Sequence, residues 1–174
     1  MRPCVLKDGA NVDTVGWNFT HHRDNATLLE GTESALLAAI EQSEHLCHIF
    51  LVKDSRAPSG YAWRESAMAG YEASVQKFLK HLCVLIHVSG GQPLRESEFL
   101  SMTWRNTQRR RSVTIRFDRV MIHVQYNKTQ QQTGNYKENV RFLANPVALL
   151  LLDYIIYVLP VSYTHLTLPT NREV

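Results

Sequence analysis

The sequence is poor in cysteine, and what it has is badly placed for a covalent framework. Cys4, Cys47 and Cys83 are odd in number and far apart, so a disulfide-stapled secreted domain is excluded and a reducing compartment is the simpler reading. Zinc-site spacing is missing too. Cys47 and His48 are adjacent and His45 is near, but no second ligand pair stands at metal-binding spacing. A packed helix face is the better reading, and no metal or cofactor is expected. The opening residues, MRPCVLKDGANVDTVG, contain no apolar stretch of the secretory type. Long hydrophobic runs are absent as well: the richest, Val147 to Leu159, is interrupted by Asp153. It is too short to cross a bilayer, so it reads as a buried helix and no membrane partner is expected. In a chain that is not secreted, the Asn-x-Thr sequons at Asn18, Asn25 and Asn127 are chance matches. No internal repeat is visible.

Excess charge of one sign is also scarce overall, with a formal net charge of only +3 over 174 residues. Its distribution is uneven. Between Arg105 and Arg141 stand nine Lys or Arg (Arg105, Arg109, Arg110, Arg111, Arg116, Arg119, Lys128, Lys137, Arg141) against two acids, Asp118 and Glu138. A local excess of this kind is the electrostatic footprint of a polyanion-binding face, although a solvated, charge-rich hairpin has the same composition. The hydrophobic fraction of 44% and charged fraction of 20% are those of a globular chain able to bury a core.

Periodicity organises the rest. Residues 1–30 are polar and mixed, with Trp17-Asn18-Phe19 the only dense apolar point, and read as a loose arm with a docking aromatic. A helix is expected from an N-cap at Thr32 through Val52, its apolar residues Leu36, Leu37, Ile40, Leu46, Cys47 and Phe50 falling largely on one face. The turn-rich KDSRAPSG, residues 53–60, ends it. A longer helix is expected from about Trp63 to Val88, with Tyr71, Val75, Phe78, Leu82 and Leu85 as one stripe. Gly90-Gly91 breaks it, and Pro93 suits the first turn of a third helix over Leu94 to Trp104. The period then changes to two. Val113, Ile115 and Phe117 make one strand, Val120, Ile122, Val124 and Tyr126 another, with a tight turn at Asp118-Arg119. That turn lacks glycine, so its type stays open. A polar loop leads to a third strand near Asn139 to Leu143, and Pro146 opens a last helix, Val147 to Val158. This helix is apolar on most faces, so exposed hydrophobic surface is expected of it. The expected class is mainly α with a small three-stranded antiparallel sheet, that is α+β.

The tail is of another kind. Val161 to Thr170, VSYTHLTLPT, can be back-translated into the transposase adapter used in short-read sequencing libraries. Residues 161–174 are therefore expected to be foreign and disordered, with the gene cut near Pro160. The expected organisation is an arm over 1–30, a helix and linker over 31–60, a main domain over 61–160, and this tail.

The segment that carries chemistry is Gly91 to Asn106, GQPLRESEFLSMTWRN. Its Leu94-Arg95-Glu96-Ser97-Glu98-Phe99-Leu100, with Met102 and Trp104 downstream, resembles the first arginine motif of tyrosine recombinases, the phage-integrase family. The resemblance implies part of that family's catalytic-domain fold: a helix start after a turn, a hairpin bearing a lysine, then another helix. It places Arg95 on the first catalytic arginine, Glu98 on the acid that supports it, and Lys128 on the hairpin lysine, with Lys137 a rival. A guanidinium fork matches two phosphate oxygens as charge builds on the phosphorus, and a hairpin lysine can protonate a leaving oxygen. Arg105, Arg109, Arg110, Arg111, Arg116, Lys137 and Arg141 would neutralise flanking phosphates. Read from spacing alone, Arg95 and Glu98 are equally an ordinary surface helical pair.

Val15-Gly16-Trp17-Asn18-Phe19, Ser89-Gly90-Gly91-Gln92-Pro93 and Ser101-Met102-Thr103-Trp104-Arg105-Asn106-Thr107 are similar to a region of large fungal proteins. In those proteins a recombinase-like part precedes a RecQ-type DNA helicase. This likeness implies a DNA partner, a helicase region in the full-length protein and a nuclear location. Leu94 stands where a small residue is usual before the arginine, and Asp118-Arg119 where Asp-Gly is. The family's second arginine, its His or Trp and its nucleophilic Tyr normally follow the last helix. Tyr154, Tyr157 and Tyr163 come too early, so the expected function is DNA binding without strand cleavage. The competing expectations are a non-catalytic DNA-docking module of a helicase protein and a helical protein-interaction domain.

Overall fold

The change of period after Arg111 becomes a three-stranded antiparallel sheet in the computed structural model, which describes residues 2–9, 13–56, 60–91, 93–124 and 139–161. The fold is α+β and mainly helical. The chain forms two compact units, Met1–Leu29 with Leu82–Asp153, and Glu30–His81 with Tyr154–Val174.

In the first unit the sheet runs β3 (Val113–Arg116), β4 (Arg119–Val124), β5 (Asn139–Phe142), each strand paired with the next. Alternation assigns the faces. Val113, Ile115, Val120, Ile122 and Val124 are buried on the inner side, while Thr114, Arg116, Arg119, Met121 and His123 face outward. Helix α6 (Asn145–Asp153) and the turn at Pro3–Val5 pack against β4. Leu143 and Leu152 at 0% exposure and Leu6 at 4% close this core. Removing the Leu152 side chain would cost about 2–5 kcal/mol by lost transfer energy and the cavity left behind.

The arm is not loose. Phe19 is wholly buried. The Asn25 amide donates to the carbonyls of Lys7 and Phe19, both at 2.7 Å, and its oxygen accepts from Lys7 N–H, also at 2.7 Å. Asn18 caps the following turn by accepting from Thr20 N–H at 2.8 Å. Both asparagines are buried, so neither sequon side chain is open to modification. Short helical turns follow one another to α1 (Ala26–Leu29). The arm's mixed polarity concealed this docking because asparagine side chains, not an apolar stripe, hold it.

The expected helix from Thr32 to Val52 is broken. It resolves into a turn at Thr32–Ser34, α2 (Ala35–Gln42) and α3 (Glu44–Phe50). Ser43 leaves helical backbone between them, and its hydroxyl accepts from Leu46 N–H to cap α3. The chain then enters a small hairpin, β1 (Leu51–Lys53) with β2 (Tyr61–Trp63), so Trp63 begins no helix. Arg64 seals the C-terminal end of α3, its guanidinium donating to the carbonyls of His48, Ile49 and Leu51. The long helix α4 spans Glu65–Ser89. Val75, Leu82 and Ile86 are its buried positions, whereas Leu85 of the expected stripe is 39% exposed. A 3.6-residue turn carries the stripe from Leu82 to Ile86.

The third helix is short: α5 is only Glu96–Leu100. The last helix is longer than expected, starting at Asn145 and passing through a wider turn at Tyr154–Val158 to Val161. Its apolar residues are mostly covered: Val147, Ala148, Leu151 and Leu152 in the first unit, Ile155, Ile156, Leu159 and Val161 in the second. Only Leu150 among them is exposed, at 40%. Among the described residues this helix thus exposes little of the expected hydrophobic surface, and Val161 is helical and buried. In the second unit the Tyr154–Val158 turn packs on α2 and on Thr32–Ser34. No helix among the described residues is long and apolar enough to cross a membrane, and no cluster of three metal-binding side chains occurs among them. Cys4, Cys47 and Cys83 are free thiols.

Candidate nucleic-acid interface

Leu94 is buried at 4% and fixes the chain where it enters α5. Arg95 follows as the N-cap residue, extended at φ −65° and ψ 152°. Its backbone N–H donates to a Glu98 carboxylate oxygen at 3.0 Å. This is half of a capping box. The other half cannot form through Arg95, because a guanidinium has no acceptor. The guanidinium is exposed and has no side-chain partner among the described residues. Glu98 therefore supports Arg95 through its backbone, leaving the fork open to solvent.

A buried arginine lies close by. Arg141 on β5 is 5% exposed, and its Nε donates to Asn139 Oδ1 at 3.3 Å. Burial lowers its pKa from the usual arginine value, and the Glu98 charge opposes that shift. Gly90 makes room for it: a Cβ there would sit 3.3 Å from Arg141 Cδ and 3.3 Å from the Ile86 carbonyl. Arg141 is thus buried against Gly90 and does not meet phosphate on the surface, which corrects its expected role.

Arg111 also leaves the expected set. Its side chain is 3% exposed and forms an ion pair with Asp8, itself 1% exposed. Its Nη1 donates to Asn106 Oδ1 at 3.3 Å, and its guanidinium lies 4.4 Å from the Trp17 ring centre. Desolvation lowers the Arg111 pKa, with Asp8 acting in the opposite direction. The second Asp8 oxygen accepts Ile115 N–H at 2.7 Å. The pair therefore ties arm to sheet, and the stacking aromatic is Trp17.

The other cations face solvent. Arg110 is exposed but held by Asp13 in a two-pronged contact at 2.6 and 3.0 Å. Asp13 is pushed below its usual carboxylate pKa by that hydrogen bond and charge. Arg105 stacks 5.6 Å from the Trp104 ring centre. Arg109 and Arg116 are exposed. Lys128 and Lys137 lie outside the described residues.

The hairpin tip lies one residue earlier than the alternation predicts. Arg116 pairs with Arg119, so the turn is Phe117-Asp118. Both turn residues have positive φ, 51° and 58°, the backbone that two-residue hairpins require and that glycine or asparagine normally supplies. Phe117 stands 86% exposed at the tip rather than on the inner face. Its ring centre is 6.4 Å from that of Phe142 on β5, and the Arg119 guanidinium lies 5.2 Å over Phe142. Apolar alternation gives Phe117 no binding role, and Arg119 enters only through the local excess of cations. The missing glycine in the turn was the available signal.

No family model and no solved structure matches the chain.

Proposed function

We propose that this chain is a DNA-binding segment of a tyrosine-recombinase-like protein, with Arg95 as its principal phosphate contact. The observation that carries the reading is the Arg95 turn. The Arg95 backbone N–H donates to the Glu98 carboxylate and fixes the turn, the buried Arg141 lies within reach of the Glu98 charge, and the Arg95 residue itself is exposed to solvent. A planar fork presented this way suits two oxygens of one phosphodiester. Arg105, Arg109 and Arg116, exposed in the same unit, supply further positive charge for neighbouring phosphates. The family likeness adds Lys128 as a second contact on the scissile phosphate, and a nuclear helicase-containing protein as the setting.

The test is a salt titration of duplex DNA binding followed by fluorescence anisotropy. Wild-type affinity should fall linearly on logarithmic axes as salt rises. Arg95→Ala should weaken binding about tenfold and reduce the slope by about one. Duplex affinity that is independent of salt, or unchanged by Arg95→Ala, overturns the reading.

A further inference from the structure

The outer face of the three-stranded sheet has no place in phosphate binding at Arg95, yet its tip carries an exposed aromatic ring flanked by two exposed arginines. Phe117 projects from the β3–β4 tip with 86% of its surface exposed. Its backbone is left-handed, where an L-residue with a bulky side chain is unfavourable. Arg116 and Arg119 flank the tip, paired across the two strands on the outer face, both exposed. Phe142, opposite Met121 on that face, lies under the Arg119 guanidinium and 6.4 Å from Phe117. The only acid in this group is Asp118, in the turn itself. A hairpin needing only to close would be better served by glycine or asparagine at position 117.

We propose that Phe117, with Phe142 beside it, is a stacking platform for unpaired bases of a DNA strand, and that Arg116 and Arg119 hold the phosphates on either side. It rests on the DNA-binding reading above but uses other residues. Any base can stack on an exposed ring, so the platform favours single strands without demanding a sequence. A duplex keeps its bases stacked internally and gains little from it. Charge complementarity selects nucleic acid over an apolar protein surface, since two guanidiniums border the rings and no acid stands on the outer strand positions described.

The experiment compares the intact chain with its Phe117→Asn variant on an oligothymidine strand and on a duplex of equal length, by anisotropy at one salt concentration. Phe117→Asn removes the ring while suiting the positive φ, so folding is preserved, and circular dichroism verifies it. The expected result is roughly tenfold weaker single-strand binding, with duplex binding changed less than twofold. Arg95→Ala should give the reverse pattern. Single-strand affinity untouched by Phe117→Asn overturns the platform while leaving the Arg95 reading intact. Ring-dependent single-strand binding without any duplex binding supports the platform and sinks the Arg95 reading. Equal loss on both DNAs also overturns the platform, because the ring would then act through general docking.

Discussion

Replacing Asp8 with Asn isolates the contact on which the first unit depends. The substitution keeps shape and removes one charge, leaving Arg111 buried at 3% side-chain exposure beside a neutral amide. Removing one partner of a buried ion pair costs about 3–5 kcal/mol, because the other charge stays desolvated without compensation. The Trp17 ring and the Asn106 oxygen remain around the guanidinium and offset part of that, so the lower end, about 3 kcal/mol, is expected. For a chain of this size, roughly 2–4 °C of melting temperature per kcal/mol gives a fall of about 6–12 °C. Urea unfolding followed by tryptophan fluorescence reads the loss directly, since Trp17 stacks on the affected side chain. The double variant Asp8→Leu with Arg111→Met should recover only part of it, because apolar replacement of the buried pair is near neutral but leaves the Ile115 N–H without its acceptor. A loss below about 1 kcal/mol for Asp8→Asn would refute the burial of this pair.

Other substitutions probe separate links. Phe117→Asn should raise stability by up to about 1 kcal/mol, relieving left-handed backbone at little cost in burial, and a higher urea midpoint would verify it. Asp13→Asn frees Arg110 and should tighten duplex binding severalfold while steepening the salt slope by about 0.9, read by anisotropy titration. That same pair has a pH signature. Because Arg110 depresses the Asp13 pKa, its small stabilisation is complete above the ordinary carboxylate range and disappears as pH falls through the folded value. An acid titration of Asp13 by NMR should find the depressed midpoint, and Arg110→Gln should abolish it. Arg64→Ala uncovers the last carbonyls of α3 and should destabilise the second unit by about 1 kcal/mol, seen as faster amide exchange near His48 to Leu51.

Periodicity made much of the architecture legible. The two-residue alternation from Val113 to Val124 marks which residues face inward, and the long helix α4 and the pairing order of the sheet follow from patterns of apolar residues and breakers. Where elements were lost, the cause is local. Ser43 ends α2 by capping α3, and nothing in the apolar spacing marks that break. β1 and β2 are three residues each, too short for alternation to separate them from helix ends. Of the candidate site, Arg95 stands as an exposed fork, but Glu98 acts by accepting the Arg95 backbone N–H. Arg111 and Arg141 are interior.

The sequence by itself determined the α+β class, the inward faces of the strands and the concentration of cations beyond Arg105. It could not choose the hairpin register. A turn at Asp118-Arg119 and one at Phe117-Asp118 differ by two in the sum of paired positions, so both keep Val113, Ile115, Val120 and Ile122 on one face. Only tertiary structure decided it. Asp8 from the distant arm accepts the Ile115 N–H and neutralises Arg111, and that long-range contact accompanies the register that puts Phe117 at the tip. Burial of an arginine is likewise a property of its partner's position in space, which local spacing does not carry.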